Sequence, residues 1–376
     1  MAHGESILAV VARDASTDRL VVLDLLRGLI VVSTIVLATA RPVFELLPAS
    51  PIRDAGLRIV CDPLWHGVAP ISLLQPAFLV VMGAAAGLSF ERRLLAGQPR
   101  FRILRHAFLR AVALIALGIF LDGWRPSQAG VRYVGPLQQI GLASLIASMV
   151  VCLRSLKLEL VLLGVVVTCV WFLHESVTVD ADHPDRFVDN YNLATTIDAD
   201  WLPGRKQFGT WDQYGIAALL PGFSLAVAGM LLGWYLRQHQ PSPLKAALPT
   251  MLLGGLLIGE CLLLTELMPL NVYLWTLPFL LLVLGSVLIA TAVCLLLARF
   301  SLAGIPAGIA AVGGNALIVA IGIRLIGPDA WPVEFVRHSL LTAEWNTSPL
   351  LIAIIQTVLL LSTPFWLSAS GRYIKL

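Results

Sequence analysis

The chain has 376 residues, of which 58% are hydrophobic and only 13% are charged, and its formal net charge is +3. A soluble domain is about half apolar and about a quarter charged, whereas here the apolar residues form long uninterrupted runs without helical or strand periodicity. This composition excludes a soluble single-domain enzyme, a disordered chain and a disulfide-rich secreted module, and the small net charge argues against a nucleic-acid partner.

Ten apolar runs are long enough to cross a membrane, because a helix needs about 20 residues to span a hydrocarbon core of about 30 Å. In chain order they cover residues 20–40, 68–90, 103–121, 136–153, 158–174, 215–236, 246–265, 272–298, 303–323 and 349–369. The alternating segments of about ten residues that mark an outer-membrane barrel do not occur in the sequence. We therefore predict an all-α polytopic transmembrane bundle of about ten spans, forming one domain over residues 1–376.

Lysine and arginine are distributed unequally between the two sets of connecting segments, and an excess of them marks the cytoplasmic side. The segments on the side of the two termini hold 14 basic and five acidic residues, a charge of +9. The other side holds ten basic and sixteen acidic residues, a charge of −6. The sequence therefore predicts an integral membrane protein with both termini in the cytoplasm.

Charged residues inside the spans are candidates for function, because each costs a few kcal/mol to insert. Asp24 and Arg27 lie three residues apart in the first span and face the same way. They form either a self-neutralised pair whose arginine reaches the interface or an anion-contacting group. Glu260 in the seventh span has no local partner, so it is either protonated or bonded to another helix.

The densest basic cluster lies in the connection between the second and third spans. It comprises Arg92, Arg93, Arg100, Arg102 and Arg105. The cluster is explained by topology alone, or it captures a polyphosphate ligand at the cytoplasmic mouth of the bundle. Since no glycine-rich phosphate-binding loop is present, a nucleotide would have to bind in another manner.

One connection, residues 175–214 on the predicted outer side, is unusually long. Loops of this length are usually functional or disordered, and this one mixes carboxylates and amides with six aromatic residues. The mixture predicts an ordered cap that binds a sugar or an amine. An interfacial aromatic belt with a solvated acidic face is an equally good interpretation.

Short motifs occur in a characteristic order between about residues 19 and 325. They are Arg19-Leu20, Leu23-Asp24-Leu25-Leu26-Arg27-Gly28, Trp65-His66-Gly67, Pro76-Ala77-Phe78, Met82-Gly83, Gly135-Pro136-Leu137-Gln138-Gln139-Ile140, Asp212-Gln213-Tyr214-Gly215, Leu220-Pro221, Pro269-Leu270-Asn271, Leu274-Trp275-Thr276 and Gly314-Asn315-Ala316-Leu317. In their order and placement they resemble the heparan-α-glucosaminide N-acetyltransferase family and its bacterial relatives. No single motif is specific, but the set covers most of the chain.

The resemblance implies a membrane-embedded acetyltransferase that takes acetyl-CoA from the cytosol and acetylates the amine of a glucosamine on the far side. Acetyl-CoA is then a donor substrate, and no metal is needed. We assign donor contacts to Asp24, Arg27, Arg92, Arg93 and Asn315, and acceptor contacts to Gln138, Asp212 and Trp275. Because an asparagine within an apolar span needs a partner, we also expect Asn315 to bond across the bundle or to the ligand.

Several polar positions depart from the family pattern. The family has a histidine, its catalytic candidate, where this chain has Asp62, and the asparagine of the family's motif is His66 here. The family's aspartate and arginine positions are occupied by Ser72 and Gln139. An imidazole is better suited than a carboxylate to acid–base chemistry at neutral pH, so we assign catalysis to His66. Asp62 would orient the ring if the segment is helical. Alternatively, Trp65 and His66 form an interfacial anchor at the outer end of the second span.

These observations predict acetyl transfer from cytosolic acetyl-CoA to an amino sugar or another sugar outside the membrane. Two alternatives stay open. One is a diverged, non-catalytic transporter or flippase, favoured by the glycines and proline that interrupt the ninth span. The other is an O-acyltransferase of the acyltransferase-3 type, which shares the arginine-bearing first helix. The expected partners are the small-molecule donor, the sugar acceptor and the bilayer, and a homodimer is left open.

Overall fold

The computed structural model describes residues 21–123, 130–153, 155–176, 185–239, 243–297, 305–326 and 349–370. Within these ranges the chain is almost entirely helical, and its strands are limited to one two-stranded hairpin. The protein is therefore an all-α integral membrane protein, as the hydropathy of the sequence predicts. Both termini lie outside the described ranges, so their cytoplasmic placement stays a prediction.

The described helices and strands are named here in chain order. The helices are α1 (Val21–Leu46), α2 (Pro51–Val60), α3 (Pro70–Leu95), α4 (Arg100–Gly118), α5 (Pro136–Val151), α6 (Leu156–Ser176), α7 (Leu193–Trp201), α8 (Leu219–Gln238), α9 (Pro243–Leu264), α10 (Leu277–Leu297), α11 (Ile305–Gly314), α12 (Ala316–Ile326) and α13 (Pro349–Ala369). A π-helical turn, Ile119–Gly123, continues α4. Strands β1 (Phe187–Val188) and β2 (Tyr191–Asn192) pair antiparallel.

Fewer spans than the ten predicted are found among the described residues. In the part of the chain that the structure describes, seven helices are long and apolar enough to cross a membrane, and an eighth span results if the bent pair α11 and α12 is counted as one. Helix α5 has only 16 residues, about 24 Å at 1.5 Å per residue, which is shorter than the hydrocarbon core.

The chain folds into two compact units. The first comprises Met1–Asp62, Ala69–Leu74 and Ala290–Leu376, and the second comprises Pro63–Val68 and Gln75–Ile289. Whether the two units act together as a single acetyltransferase-like domain over residues 1–376 stays a prediction.

In the first unit α1 packs against α2, α11 and α13. The approach of α1 to α11 depends on two glycines, because a side chain at Gly28 would collide with the carbonyl of Ile309 and one at Gly313 would collide with the backbone of Asp24. Small residues let membrane helices approach at backbone distance, where packing rather than hydrophobic burial stabilises the contact. This contact brings the charged pair of α1 next to the end of α11.

In the second unit α5 lies between α4 and α8, and α6 also packs on α8. Helix α3 crosses α8 closely, since a side chain at Gly83 would collide with Ala226 and one at Gly229 would collide with Val80. These glycines are buried in two of the most enclosed helices of the structure. The second unit is thus a tightly packed helical bundle with α3, α5 and α8 at its centre.

The connections of the second unit that were predicted to lie outside meet at one end of its bundle. The amide of Gly67, just before α3, bonds to the carbonyl of Leu270 just before α10. The ring of His174, near the end of α6, contacts the carbonyl of Leu274. The long connection, described from residue 185 onward, adds the hairpin and α7 at this end. The described part of this connection folds into a cap, as the sequence predicts.

Candidate functional site

The Trp65-His66-Gly67 motif is held at the capped end of the second unit by a cluster of aromatic rings. Trp65 stacks on Tyr273, with ring centroids 5.8 Å apart, and meets Trp211 edge-on at the same distance. Its indole N–H donates to the carbonyl of Phe187 at 2.6 Å. Trp211 is fully buried and stacks on the half-exposed Phe208. The cap therefore presents an aromatic wall with His66 exposed beside it.

The Asn271–Thr276 turn forms the other side of this region. The Asn271 Oδ1 atom accepts from the backbone N–H groups of Tyr273 and Leu274, each at 2.9 Å. The turn places Trp275 in the left-handed backbone region with a φ of 55°, which is unfavourable for a bulky side chain. Trp275 stays there because its ring is buried and its indole N–H donates to the carbonyl of Gln213. Helix α10 therefore begins at Leu277 rather than at residue 272 as predicted.

His66 and Asp62 do not share a helical face. The segment between α2 and α3 is irregular, so the condition for Asp62 to orient the imidazole of His66 is not met. Asp62 instead accepts a hydrogen bond from the hydroxyl of Ser72. Ser72 in turn accepts from the backbone N–H of Ala69, as a side chain at the third position of a helix does in a capping box. In the structure Asp62 therefore helps to cap α3, while its assignment to catalysis stays a prediction.

Asp212, assigned to the acceptor site, is the centre of a buried ion pair. Its carboxylate accepts from Arg132 Nε and Nη2, both at 2.7 Å, and from the backbone N–H groups of Gln207 and Tyr214. Burial alone would lower the pKa of Arg132, but the hydrogen bond and charge of Asp212 outweigh burial and raise it. Its two oxygens accept four hydrogen bonds, so the Asp212 carboxylate links Arg132 to the 207–214 loop of the cap.

A second buried carboxylate, Asp198, stabilises the same loop. Its oxygens accept from the backbone N–H groups of Asp212 and Ile216, at 3.0 and 2.8 Å. Burial raises the pKa of Asp198, and these two hydrogen bonds oppose the increase only in part. A side chain at Gly215 would overlap the Asp198 carboxylate, so the glycine of the Asp212-Gln213-Tyr214-Gly215 motif makes room for it.

Three glutamines lie inside the bundle below the cap. Gln75 Nε2 donates to Gln139 Oε1 at 2.9 Å, and Gln139 Nε2 donates to the carbonyl of Ala218. Gln138, assigned to the acceptor site, is 3% exposed and lies against Gly118. Within the described residues, neither its amide oxygen nor its amide nitrogen has a hydrogen-bond partner. Buried polar atoms in native proteins are nearly always bonded to protein, water or ligand, so this amide has unused capacity to donate and accept a hydrogen bond.

The donor residues of the first unit lie around the bend between α11 and α12. Arg27 Nη1 is 3.4 Å from Asp24 Oδ1, as the three-residue spacing predicts. Asn315 is fully buried at the 80° bend, and its Nδ2 donates to the carbonyl of Pro364 on α13. The expectation that Asn315 bonds across the bundle is confirmed. Its assignment to the donor site, with that of Asp24 and Arg27, stays a prediction.

The basic cluster at the end of α3 and the start of α4 is largely exposed. Among the described residues no carboxylate lies within 4.0 Å of Arg92, Arg93 or the other three arginines, and the nearby Glu91 pairs with Arg237 instead. The cluster is therefore free to meet an anion. Glu260 is also exposed on α9 and makes no hydrogen bond within the described ranges.

Sequence reasoning missed four buried or partly buried polar groups of the second unit. Arg132 and Asp198 entered only the charge balance of the loops, because nothing in the sequence pairs them with the residues they contact. Asp122 is buried in the π-helical turn, and such turns are frequent at functional sites. His174 was recognisable as a polar residue inside an apolar run, and both of its ring nitrogens contact backbone carbonyls, those of Val170 and Leu274.

No protein-family model matches the chain, and no curated protein matches it. Among the described residues, no three histidine, cysteine, aspartate or glutamate side chains come together in a way that could hold a metal ion.

Proposed function

We propose that the protein is a transmembrane acetyltransferase of the bacterial inner membrane that moves an acetyl group from cytosolic acetyl-CoA to the amine of a sugar on the outer side. The observation that carries the proposal is the exposed imidazole of His66 beside the aromatic wall of Trp65, Tyr273 and Phe208. Aromatic rings offer apolar faces to a sugar, and an imidazole can exchange protons or donate hydrogen bonds near neutral pH.

Two further features support an acyl donor and a polar acceptor. The exposed arginines at the end of α3 and the start of α4 suit the phosphates of CoA, which guanidinium groups bind well. The unbonded amide of Gln138 offers both a donor and an acceptor to an uncharged polar group inside the bundle. In the reaction the amine nitrogen bonds to the acetyl carbon, the carbon–sulfur bond breaks, and the proton lost by the amine ends on the CoA thiolate.

The test is transfer of radiolabelled acetyl from acetyl-CoA to glucosamine by the full chain in lipid nanodiscs. His66→Ala should reduce transfer at least a hundredfold, the scale of a lost acid–base or oxyanion contact. His106→Ala, which removes an exposed histidine near the start of α4, is the matched control and should retain activity. Full activity of His66→Ala would remove His66 from the chemistry. Transfer only to sugars without an amine would favour the O-acyltransferase alternative.

A transporter or flippase is the second candidate, and the bend at Asn315 favours it. Discontinuous membrane helices commonly line substrate and ion sites in transporters, and α11 and α12 meet at 80°. Movement of a labelled sugar lipid across proteoliposomes without acetyl-CoA, together with no acetyl product, would establish this alternative over the transferase.

A further inference from the structure

Asn271 is anchored so that only its amide nitrogen is available to His66. The residue is fully buried, its Oδ1 is occupied by two backbone N–H groups of the turn, and its own backbone N–H donates to Thr276 Oγ1 at 3.0 Å. Which end of an asparagine amide is oxygen is decided by its hydrogen bonds. Because two donors fix the oxygen, the NH₂ group must face the imidazole.

This orientation determines where the proton of His66 lies. Asn271 Nδ2 is 3.4 Å from His66 Nδ1, at the long end of the hydrogen-bond range. An amide NH₂ group only donates, so Nδ1 has to present its lone pair. A neutral imidazole carries one proton, which is therefore on Nε2, on the side of the ring away from Asn271.

From this geometry we infer that Asn271 is a positioning residue that holds His66 in the Nε2–H tautomer, so that His66 serves acetyl transfer as a hydrogen-bond donor and not as the general base. The role in acetyl transfer rests on the proposed function, whereas the tautomer follows from the contact with Asn271 alone. The one lone pair of the neutral ring faces the Asn271 amide, which leaves no basic nitrogen for the acceptor amine.

In the transfer step the amine attacks the thioester carbon and the carbonyl oxygen becomes an oxyanion. His66 Nε2–H donates to this oxygen and keeps its proton throughout. As the carbon–sulfur bond breaks, its electron pair leaves with the sulfur, which receives the proton from the amine. A donor aimed at a developing oxyanion contributes about 10²–10³ in rate, enough to explain a strict need for His66 without proton transfer.

Nitrogen-15 NMR of the full chain in nanodiscs, labelled at histidine, tests the tautomer without any substrate. The His66 signals are assigned by their loss in His66→Gln. With His66 in its neutral form, the wild type should show a protonated Nε2 and an unprotonated Nδ1. A protonated Nδ1 in the wild type would overturn the inference, whether or not the protein transfers acetyl groups.

Asn271→Asp supplies the opposite arrangement. One carboxylate oxygen can keep the turn while the other accepts from the ring, so the proton should move to Nδ1. Acetyl transfer should then fall about 10²–10³-fold, because Nε2 no longer carries a proton to donate to the oxyanion. Asn190→Asp, in the exposed hairpin turn, is the control and should leave the pH profile unchanged. A rate in Asn271→Asp that rises with pH above the wild-type rate would make His66 the base and contradict the inference.

Discussion

The cap and the interior of the second unit both bury polar side chains, yet they treat them in opposite ways. In the cap, Asp212 has no exposed side-chain surface and accepts four hydrogen bonds. In the bundle below it, Gln138 is equally enclosed, and both its amide atoms lack a partner within the described residues.

The difference distinguishes buried groups that hold the structure together from buried groups that are available to a ligand. A buried charge that is fully bonded is costly to disturb, because removing one partner leaves the other uncompensated. An unbonded buried amide costs about 1–3 kcal/mol in the folded state, a cost that a bound ligand or water relieves. Satisfied groups such as Asp212 therefore shape the cap, and unsatisfied groups such as Gln138 are where a substrate would gain most by binding.

The largest expected effect follows from breaking the framework. Arg132→Ala leaves Asp212 buried without its cation, which should destabilise the cap by about 3–5 kcal/mol. Hydrogen exchange of residues 185–216 measures this directly. Arg186→Ala serves as the control, because the Arg186–Glu175 pair is about one-third exposed and should change stability by about 0–1 kcal/mol. Equal protection in both variants would show that the Arg132–Asp212 pair does not hold the cap.

A smaller effect on the stability of the cap is expected when the pH is changed. Burial raises the pKa of Asp198, so its neutral form is favoured in the folded cap. The stabilisation that protonation provides is complete below the ordinary value of about 3.9 and is lost as pH rises through the raised folded value. Hydrogen-exchange protection of the 212–216 loop should therefore decrease slightly as pH rises above about 4. In Asp198→Asn the slope should flatten, and an unchanged slope would assign the effect to another group.

Hydropathy and charge predicted the fold class, because long apolar runs have few folded solutions outside a membrane. Among the described residues they overestimated the number of spans, since the run 136–153, which has no charged residue, forms a short helix that begins at Pro136 and ends at Val151. The glycines and proline that interrupt the ninth span were visible in the sequence, but the 80° bend at Asn315 needed the structure.

Site residues were predictable from the sequence only where a single polar side chain interrupts or borders an apolar run. His66, Gln138 and Asn315 stood out as polar residues at or inside apolar runs. The partners of these residues did not, because Asn271 meets His66 across 205 positions of sequence and Arg132 meets Asp212 across 80. Asp62 was paired with His66 by helical spacing, and the irregular segment between α2 and α3 removed that premise.

The smallest expected change in stability belongs to Gln138→Leu, and it tests the account most directly. Replacing an unbonded buried amide by an apolar side chain of similar size should leave the melting temperature unchanged or slightly raised. If Gln138 serves a ligand, the same variant should lose acetyl transfer to glucosamine. A melting temperature lowered by several degrees with activity retained would place Gln138 in the framework beside Asp212 and contradict the distinction between the two regions.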